Sequence, residues 1–267
     1  MDAPAPAAEL PADVLARIDE LTPVAAKARR VVVSTGAGVS AESGVPTFRD
    51  AQTGLWAKYD PVMLASYEGF CDDPATVWKW YDQRRQNMRG CRPNPGHVAI
   101  AEWQQSWRAD GRGFTLVTQN IDDLHNQAGS SGIIELHGNI WFVRPLDGRL
   151  ADAYRLDICP FESHPVYDDS GRLLRPHVVW FGEMLDPAKI DAAFAAAQNC
   201  DLLIVAGTSA VVYPAAALPQ VALRGGATVV EVNPNPTELT RYADYVLQGT
   251  SGFVLPALWE RVREMAE

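Results

Sequence analysis

Five short apolar runs constrain this chain more than any other feature. They are Val31-Val32-Val33, Phe114-Thr115-Leu116-Val117, Ile133-Ile134, Leu202-Leu203-Ile204-Val205 and Thr228-Val229-Val230. Runs so short and so continuously apolar suit strands covered on both faces, as in a parallel sheet between helical layers. Most of the intervals between them are long enough to hold a crossover helix. The pattern predicts an α/β fold: a Rossmann-like, doubly wound parallel sheet. A helix is predicted from Ala12 to Arg30, where Leu15, Ile18, Leu21 and Val24 recur at helical spacing and Pro23 weakens the middle.

Two intervals are too long for simple crossovers. Residues 46–111 are rich in Trp, Tyr and Arg and read as helical; residues 138–176 are punctuated by Pro145, Gly148, Pro160, Pro165 and Gly171. These two insertions are expected to build a smaller second lobe. Residues 1–45, 112–137 and 177–267 then form the main-sheet domain. A length of 267 residues suits this arrangement, at roughly 100–200 residues per domain.

Composition narrows the function classes. With 23 basic against 33 acidic residues, the formal net charge is -10. An acidic surface argues against nucleic acid as partner, because phosphate neutralisation needs a basic face. A small anionic cofactor needs only a few local donors and stays open. Cys71, Cys91, Cys159 and Cys200 form no C-x-x-C pair, so neither a four-cysteine zinc ribbon nor a disulfide framework is expected. Scattered thiols fit a reducing, cytoplasmic compartment. The first residues, Met1-Asp-Ala-Pro-Ala-Pro, read as a flexible lead-in without signal-peptide character. Leu202 to Leu223 carries no charge but is interrupted by Gly207-Thr208-Ser209, Tyr213-Pro214 and Pro219-Gln220, so no membrane span is predicted. The oligomeric state is open, with a monomer as the default.

Polar clusters follow the apolar runs. Ser34-Thr35 leads into Gly36-Ala37-Gly38-Val39-Ser40-Ala41, a G-x-G-x-x-A turn that allows backbone N–H groups close to a pyrophosphate. The acidic residue an ordinary dehydrogenase places about 20 positions later is absent; that region reads Gly54-Leu55-Trp56-Ala57-Lys58. The glycine turn instead continues through Glu42-Ser43-Gly44-Val45-Pro46-Thr47-Phe48-Arg49-Asp50. Further on come Thr118-Gln119-Asn120-Ile121-Asp122-Asp123-Leu124-His125, Leu136-His137-Gly138, Gly207-Thr208-Ser209 and Glu231-Val232-Asn233-Pro234. Ligands bind at the carboxyl ends of strands in open α/β sheets, and these clusters converge there.

Together these motifs resemble the sirtuins, NAD-dependent protein-lysine deacylases, over about Val31 to Pro256. The resemblance implies NAD as cofactor and acylated lysine of proteins as substrate, with nicotinamide and O-acyl-ADP-ribose released. It implies that Gly36, Ala37, Gly38, Ala41, Glu42, Phe48 and Arg49 enclose the phosphates, ribose and nicotinamide. Gln119, Asn120 and Asp122 would hold the nicotinamide ribose and pocket, and Gly207, Thr208, Ser209 and Asn233 the adenosine side. His137 would be the general base, with Asn120 its catalytic companion; imidazole suits this because its pKa lies near working pH. His125 is read as structural.

Val178-Val179-Trp180-Phe181-Gly182-Glu183 resembles the family's substrate segment, which pairs with bound peptide by strand addition. Val179 and Trp180 would line the acyl-lysine tunnel with Phe181 beside them, while Gly182 and Glu183 face the peptide. Tyr81 and Arg84 share a helix face at i, i+3. With Ala65 they resemble the pocket of sirtuins that remove succinyl, malonyl and glutaryl groups, so acidic acyl groups are expected to be preferred and acetyl to be a second substrate. The family's structural zinc is not expected. The first cysteine pair falls on Pro145-Leu146-Asp147-Gly148, and only Cys159, with His164 and Asp168, remains near the second. Trp141, Phe142, Tyr154, Leu156, Ile158, Phe161 and Tyr167 would pack a metal-free module. NAD hydrolysis or mono-ADP-ribosyl transfer in the same pocket is the alternative activity. A non-catalytic NAD sensor is expected to lack His137 or Asn120, and both are present.

Overall fold

The computed structural model describes residues 10–46 and 58–266. Helix α1 (Ala12–Lys27) leads into β1 (Arg30–Thr35) and the short α2 (Gly38–Ala41). Four helices follow: α3 (Pro61–Leu64), α4 (Tyr67–Asp72), α5 (Pro74–Arg89) and α6 (Pro95–Ala109). The chain returns through β2 (Gly113–Thr118), α7 (Leu124–Gln127) and β3 (Ile134–Glu135). It then forms β4 (Gly138–Pro145), β5 (Tyr154–Arg155) and β6 (Leu174–Val178). The last part comprises α8 (Pro187–Asn199), β7 (Leu202–Ala206), α9 (Leu218–Arg224), β8 (Thr228–Asn233), β9 (Tyr245–Gln248) and α10 (Ser251–Ala266).

The main sheet has the order β3-β2-β1-β7-β8-β9, with every pair parallel. Strand alternation divides its side chains between two helical layers. Val31, Val33, Leu202, Ile204, Val230 and Val232 pack with Ile18, Trp103 and Trp259, on the side of α1, α6 and α10. Val32, Leu203, Val205 and Val229 pack with Ala193, Ala197 and Ala222, on the side of α8 and α9. Register is therefore strongly specified, since a one-residue slip would exchange the two faces. Four of the five apolar runs lie wholly in strands of this sheet, as their character predicts, and the fifth does so only through Ile134, since β3 begins there. The added edge strand β9 escaped the sequence reading. Only Leu247 of its residues is buried, so it lacks a continuous apolar run.

Helix α1 tolerates Pro23 in its interior but ends at Lys27, short of the expected Arg30. Helix α5 starts at Pro74 and is capped by Asp73, whose carboxylate accepts from the Thr76 N–H at 3.0 Å. Helix α6 begins at Asn94-Pro95, and Asn94 and His97 form a reciprocal capping box.

The interval expected to be irregular contains a three-stranded antiparallel sheet, β5-β4-β6. It packs with α5 around Trp78, Trp141, Val143, Cys159 and Leu174. Of the side chains expected to fill this module, Trp141 is buried and Phe142, Leu156 and Phe161 pack against its core. Tyr154, Ile158 and Tyr167 instead lie outward, 40, 55 and 56% exposed. Polar anchors from α5 take part in holding the segment. Arg85 donates to the Leu156 carbonyl, Arg89 to the Cys159 carbonyl, and Asp82 accepts from the Phe161 N–H and from His164 Nε2, both at 3.2 Å.

The sheet changes winding direction between β1 and β7, and the loops after these two strands meet backbone to backbone. Gly38 donates its N–H to the Gly207 carbonyl at 2.7 Å, and Gly36 donates to Ala206 at 3.1 Å. A Cβ on Gly38 would lie 2.8 Å from Gly207 Cα, and one on Gly207 only 2.3 Å from the Val39 nitrogen. Gly207 also has φ +61°, where side chains are strained. Gly207→Ala is expected to lower the free energy of unfolding by about 2 kcal/mol or more. Gly90→Ala, where a Cβ would meet nothing within 4 Å, should stay within about 0.5 kcal/mol of wild type. Urea titrations of both variants check the contrast.

Candidate active site

The carboxyl ends of β1, β2, β7 and β8 bring most of the sequence-predicted clusters to one edge. The loops after them are stitched together: Gln119 donates its N–H to Thr35 at 3.0 Å, and Gly207 to Val232 at 3.0 Å. Gln119 Nε2 also reaches Thr208 Oγ1 at 3.4 Å, joining the β2 and β7 loops. Ala37 and Ser209 are exposed; Ala41 lies exposed at the end of α2. The N–H groups of Ala37, Thr208 and Ser209 have no hydrogen-bond acceptor among the described residues. Half-exposed Asn233, at the end of β8, donates to the Asn235 carbonyl at 2.8 Å. Backbone donors beside side-chain amides and hydroxyls fit a dinucleotide, whose phosphates need donors and whose ribose hydroxyls need both donors and acceptors. Phe48 and Arg49 lie outside the described residues.

Glu42 also has a partner within the fold. Its carboxylate accepts from the Gly252 N–H at 2.7 Å and from Thr250 Oγ1 at 2.8 Å. It thus satisfies the start of α10, a stabilising position for a negative charge.

His137 follows β3 and precedes β4. Its Nδ1 lies 3.0 Å from the Gln119 carbonyl. A carbonyl only accepts, so Nδ1 carries the proton and Nε2 keeps its lone pair. Burial lowers the His137 pKa, with the Gln119 hydrogen bond partly opposing it. The ring is therefore neutral near pH 7 and able to take a proton.

Beneath it lies a buried polar network that the sequence reading found only in part. Asn120 Nδ2 donates to Ser40 Oγ at 3.0 Å, and the Asn120 N–H to Thr118 Oγ1 at 3.0 Å. Ser40 Oγ also meets His97 Nε2 at 3.3 Å, while His97 Nδ1 accepts from the Asn94 N–H at 3.3 Å. His97 is consequently the Nε2–H tautomer and donates to Ser40. Asp122, close to Ser40, accepts from the Leu124 N–H at 2.9 Å. Burial nevertheless raises the Asp122 pKa. His125 meets Thr35 Oγ1 at 3.0 Å and lies 4.7 Å from the His97 ring. Ser40, Asn94 and His97 were missed as site residues, although the Asn94-Pro95 helix start marks where His97 enters the interior.

The second cluster surrounds Trp180. Strand β6 ends at Val178, so the segment resembling a substrate strand leaves the small sheet. The Val179 N–H donates to the His137 carbonyl at 2.9 Å, and the Phe181 N–H to Ala65 at 2.8 Å. Ala65 is buried, whereas Phe181 and Gly182 are exposed. Glu183 does not face outward. It forms a bidentate pair with buried Arg175, at 2.5 and 2.8 Å, and accepts from the Trp180 N–H at 2.9 Å. Trp180 Nε1 donates to Tyr81 Oη at 2.9 Å. The Arg84 guanidinium lies 4.8 Å from the Trp80 ring and 5.7 Å from the Tyr81 ring. Burial lowers the Arg84 pKa, with Tyr81 and Asp122 opposing, and burial raises that of Tyr81.

The residues that remain of a metal module do not fit zinc. Cys159 is buried in the small-lobe core, His164 bonds Asp82, and Asp168 binds Arg172 at 2.8 Å. Among the described residues no group of three or more His, Cys, Asp and Glu is placed to hold a metal ion. Among them, too, no helix is long and apolar enough to cross a membrane.

Comparison with known proteins points one way. The sequence model of the Sir2 family matches residues 36–214. The chain is 47% identical to an NAD-dependent protein deacylase of Methylococcus capsulatus over 262 residues, covering 92% of this chain and 97% of that one. It is 49% identical to NAD-dependent protein deacylase 1 of Pseudomonas aeruginosa over 250 residues, covering 88% and 95%. A crystal structure of a Sir2 homologue in complex with NAD superposes with a TM-score of 0.85 at 43% identity, covering 93% and 95%.

Burial lowers the His97 pKa to about 4. Between that value and about 6.5 the unfolded chain binds a proton that the folded chain does not, so stability is full above 6.5 and falls as pH drops toward 4. This group alone is expected to cost about 3 kcal/mol over that range. Urea unfolding at pH 7 and pH 4.5 should show the loss, and His97→Gln should flatten that part of the profile.

Proposed function

The chain belongs to the Sir2 family and is an NAD-dependent protein deacylase, and from that premise we propose that it removes acidic acyl groups from lysine. Succinyl, malonyl and glutaryl are preferred, and acetyl is a second substrate. The observation that carries this reading is the Arg84 guanidinium, 8% exposed, beside the Tyr81 phenol and among aromatic rings. A guanidinium is a planar donor fork that a substrate carboxylate can accept from at two points, and a charge-assisted bond of this kind is stronger away from water.

When bound, NAD supplies the electrophilic ribose carbon that takes the acyl oxygen as nicotinamide leaves. In this reading the glycine turn from Gly36 to Gly38, with Ala41, holds the phosphates, and Gly207, Thr208, Ser209 and Asn233 hold the adenosine side. Gln119, Asn120 and Asp122 orient the nicotinamide ribose. Ser40 fixes the Asn120 amide by accepting one of its hydrogens, which leaves the amide oxygen for the ligand. His137, neutral and with Nε2 unprotonated, accepts the proton of the ribose hydroxyl. Ala65, Val179 and Trp180 line the lysine tunnel, and the exposed Phe181-Gly182 backbone pairs with the peptide. The two insertions, 46–111 and 138–176, act as a zinc-free second lobe, and the protein works in the cytoplasm.

Mass spectrometry of acetyl-, succinyl- and lipoyl-lysine peptides incubated with NAD tests the activity. His137→Ala is expected to abolish deacylation; nicotinamide release by wild type without peptide deacylation would favour NAD hydrolysis. Arg84→Met is expected to lower kcat/KM for the succinyl peptide about ten- to hundredfold, from the usual strength of a charge-assisted hydrogen bond. An equal loss on the acetyl peptide would sink the acidic preference.

A further inference from the structure

Tyr81 is 1% exposed, and its phenol oxygen receives the Trp180 indole N–H at 2.9 Å. An indole nitrogen only donates, and so does the neighbouring Arg84 guanidinium. The phenol's own hydrogen therefore has no acceptor among the described residues. A buried donor without a partner is costly to a folded chain, and it marks a place where a ligand completes the set.

Trp180 is itself held firmly. The Arg175 guanidinium lies over its ring with Cζ 3.5 Å from the centroid, and Phe70 packs at 5.1 Å. Arg175, 1% exposed, is fixed in turn by Glu183 and by the Val178 carbonyl at 3.1 Å, and Glu183 also holds the Trp180 backbone. The chain of contacts runs from a buried ion pair through an indole to a phenol.

We propose that Trp180 determines acyl specificity by occupying an acceptor site of Tyr81, which commits the phenol hydrogen to the acyl terminus. Arg175 and Glu183 are positioning residues for that indole. The inner end of the pocket then offers donors only, and it selects acyl groups that end in acceptors. A terminal carboxylate can accept from both Tyr81 and Arg84. An isosteric terminal amide brings its own hydrogens against them. This rests on the acidic-acyl reading of the same pocket, which it extends from Arg84 to a residue that need not touch the carboxylate.

The test compares kcat/KM for a succinyl-lysine peptide with that for its succinamyl-lysine counterpart, in wild type, Trp180→Phe, Tyr81→Phe and the double variant. Trp180→Phe keeps an aromatic ring and removes the N–H. The succinyl-over-succinamyl ratio is expected to fall about tenfold in Trp180→Phe, in line with one hydrogen bond to a charged group. In the Tyr81→Phe background the same change should leave the ratio within about twofold, since neighbours acting as a unit are not additive. Equal losses on both peptides in Trp180→Phe, or the same fall in ratio with and without the Tyr81 hydroxyl, would overturn the proposal. The wild-type preference between succinyl and acetyl peptides is read separately. Its absence would end the acidic-acyl reading, while the coupling between Trp180 and Tyr81 would still be measured on the succinyl reaction. Thermal unfolding verifies that each variant folds. A third variant, Arg175→Lys, which weakens the hold on the indole without altering the phenol, should move the ratio in the same direction as Trp180→Phe.

Discussion

The contact between Gly38 and Gly207 is the constraint on which the rest of the molecule depends. It joins the loops after β1 and β7 at the one place where the sheet reverses its winding, and it does so with no side chain between the backbones. Each neighbouring feature inherits its position from this approach. Ser40, two residues beyond Gly38, is brought beneath Asn120 and beside His97. Thr208, next to Gly207, is brought within reach of Gln119. A site made of backbone donors requires such closeness, because a Cβ at either glycine would separate the loops that supply them.

Much of this was legible in the sequence because the strands are buried on both faces. Val31 to Val33 and Leu202 to Val205 need no partner to announce themselves, and their polar successors fall at the ligand-binding edge for topological reasons. The small sheet was not legible. Strand β4 mixes Asn139 and Arg144 with Trp141 and Val143, and β6 carries Arg175 and Pro176 within five residues. Neither reads as an apolar run, and only pairing with each other and packing on α5 explains them.

The site divides in the same way. Residues inside contiguous motifs, such as Asn120 and His137, could be singled out from spacing and resemblance. Contacts made across long separations could not, even where, as with Tyr81 and Trp180, the residues themselves had been named. His97 lies 57 positions from Ser40, and Trp180 lies 99 from Tyr81. Glu183 and Glu42 illustrate a further limit: both belong to motif segments, yet one carboxylate is committed to Arg175 and the other to the start of α10. A carboxylate's partner is a tertiary fact, and exposure to ligand cannot be inferred from membership of a motif.

The Glu42–Gly252 hydrogen bond spans 210 residues of sequence. Its consequence is one of timing. During synthesis the glycine turn and α2 emerge early, but the helix that Glu42 caps is the last element made. The strands flanking β1 likewise arrive in stages, with β2 first and β7 much later. The glycine turn thus meets its partners after β7 and at the start of α10 only when nearly the whole polypeptide is available. Synthesis that stops before α10 leaves a chain in which Glu42 has no helix to cap, so the start of the last helix is also a condition for the first loop.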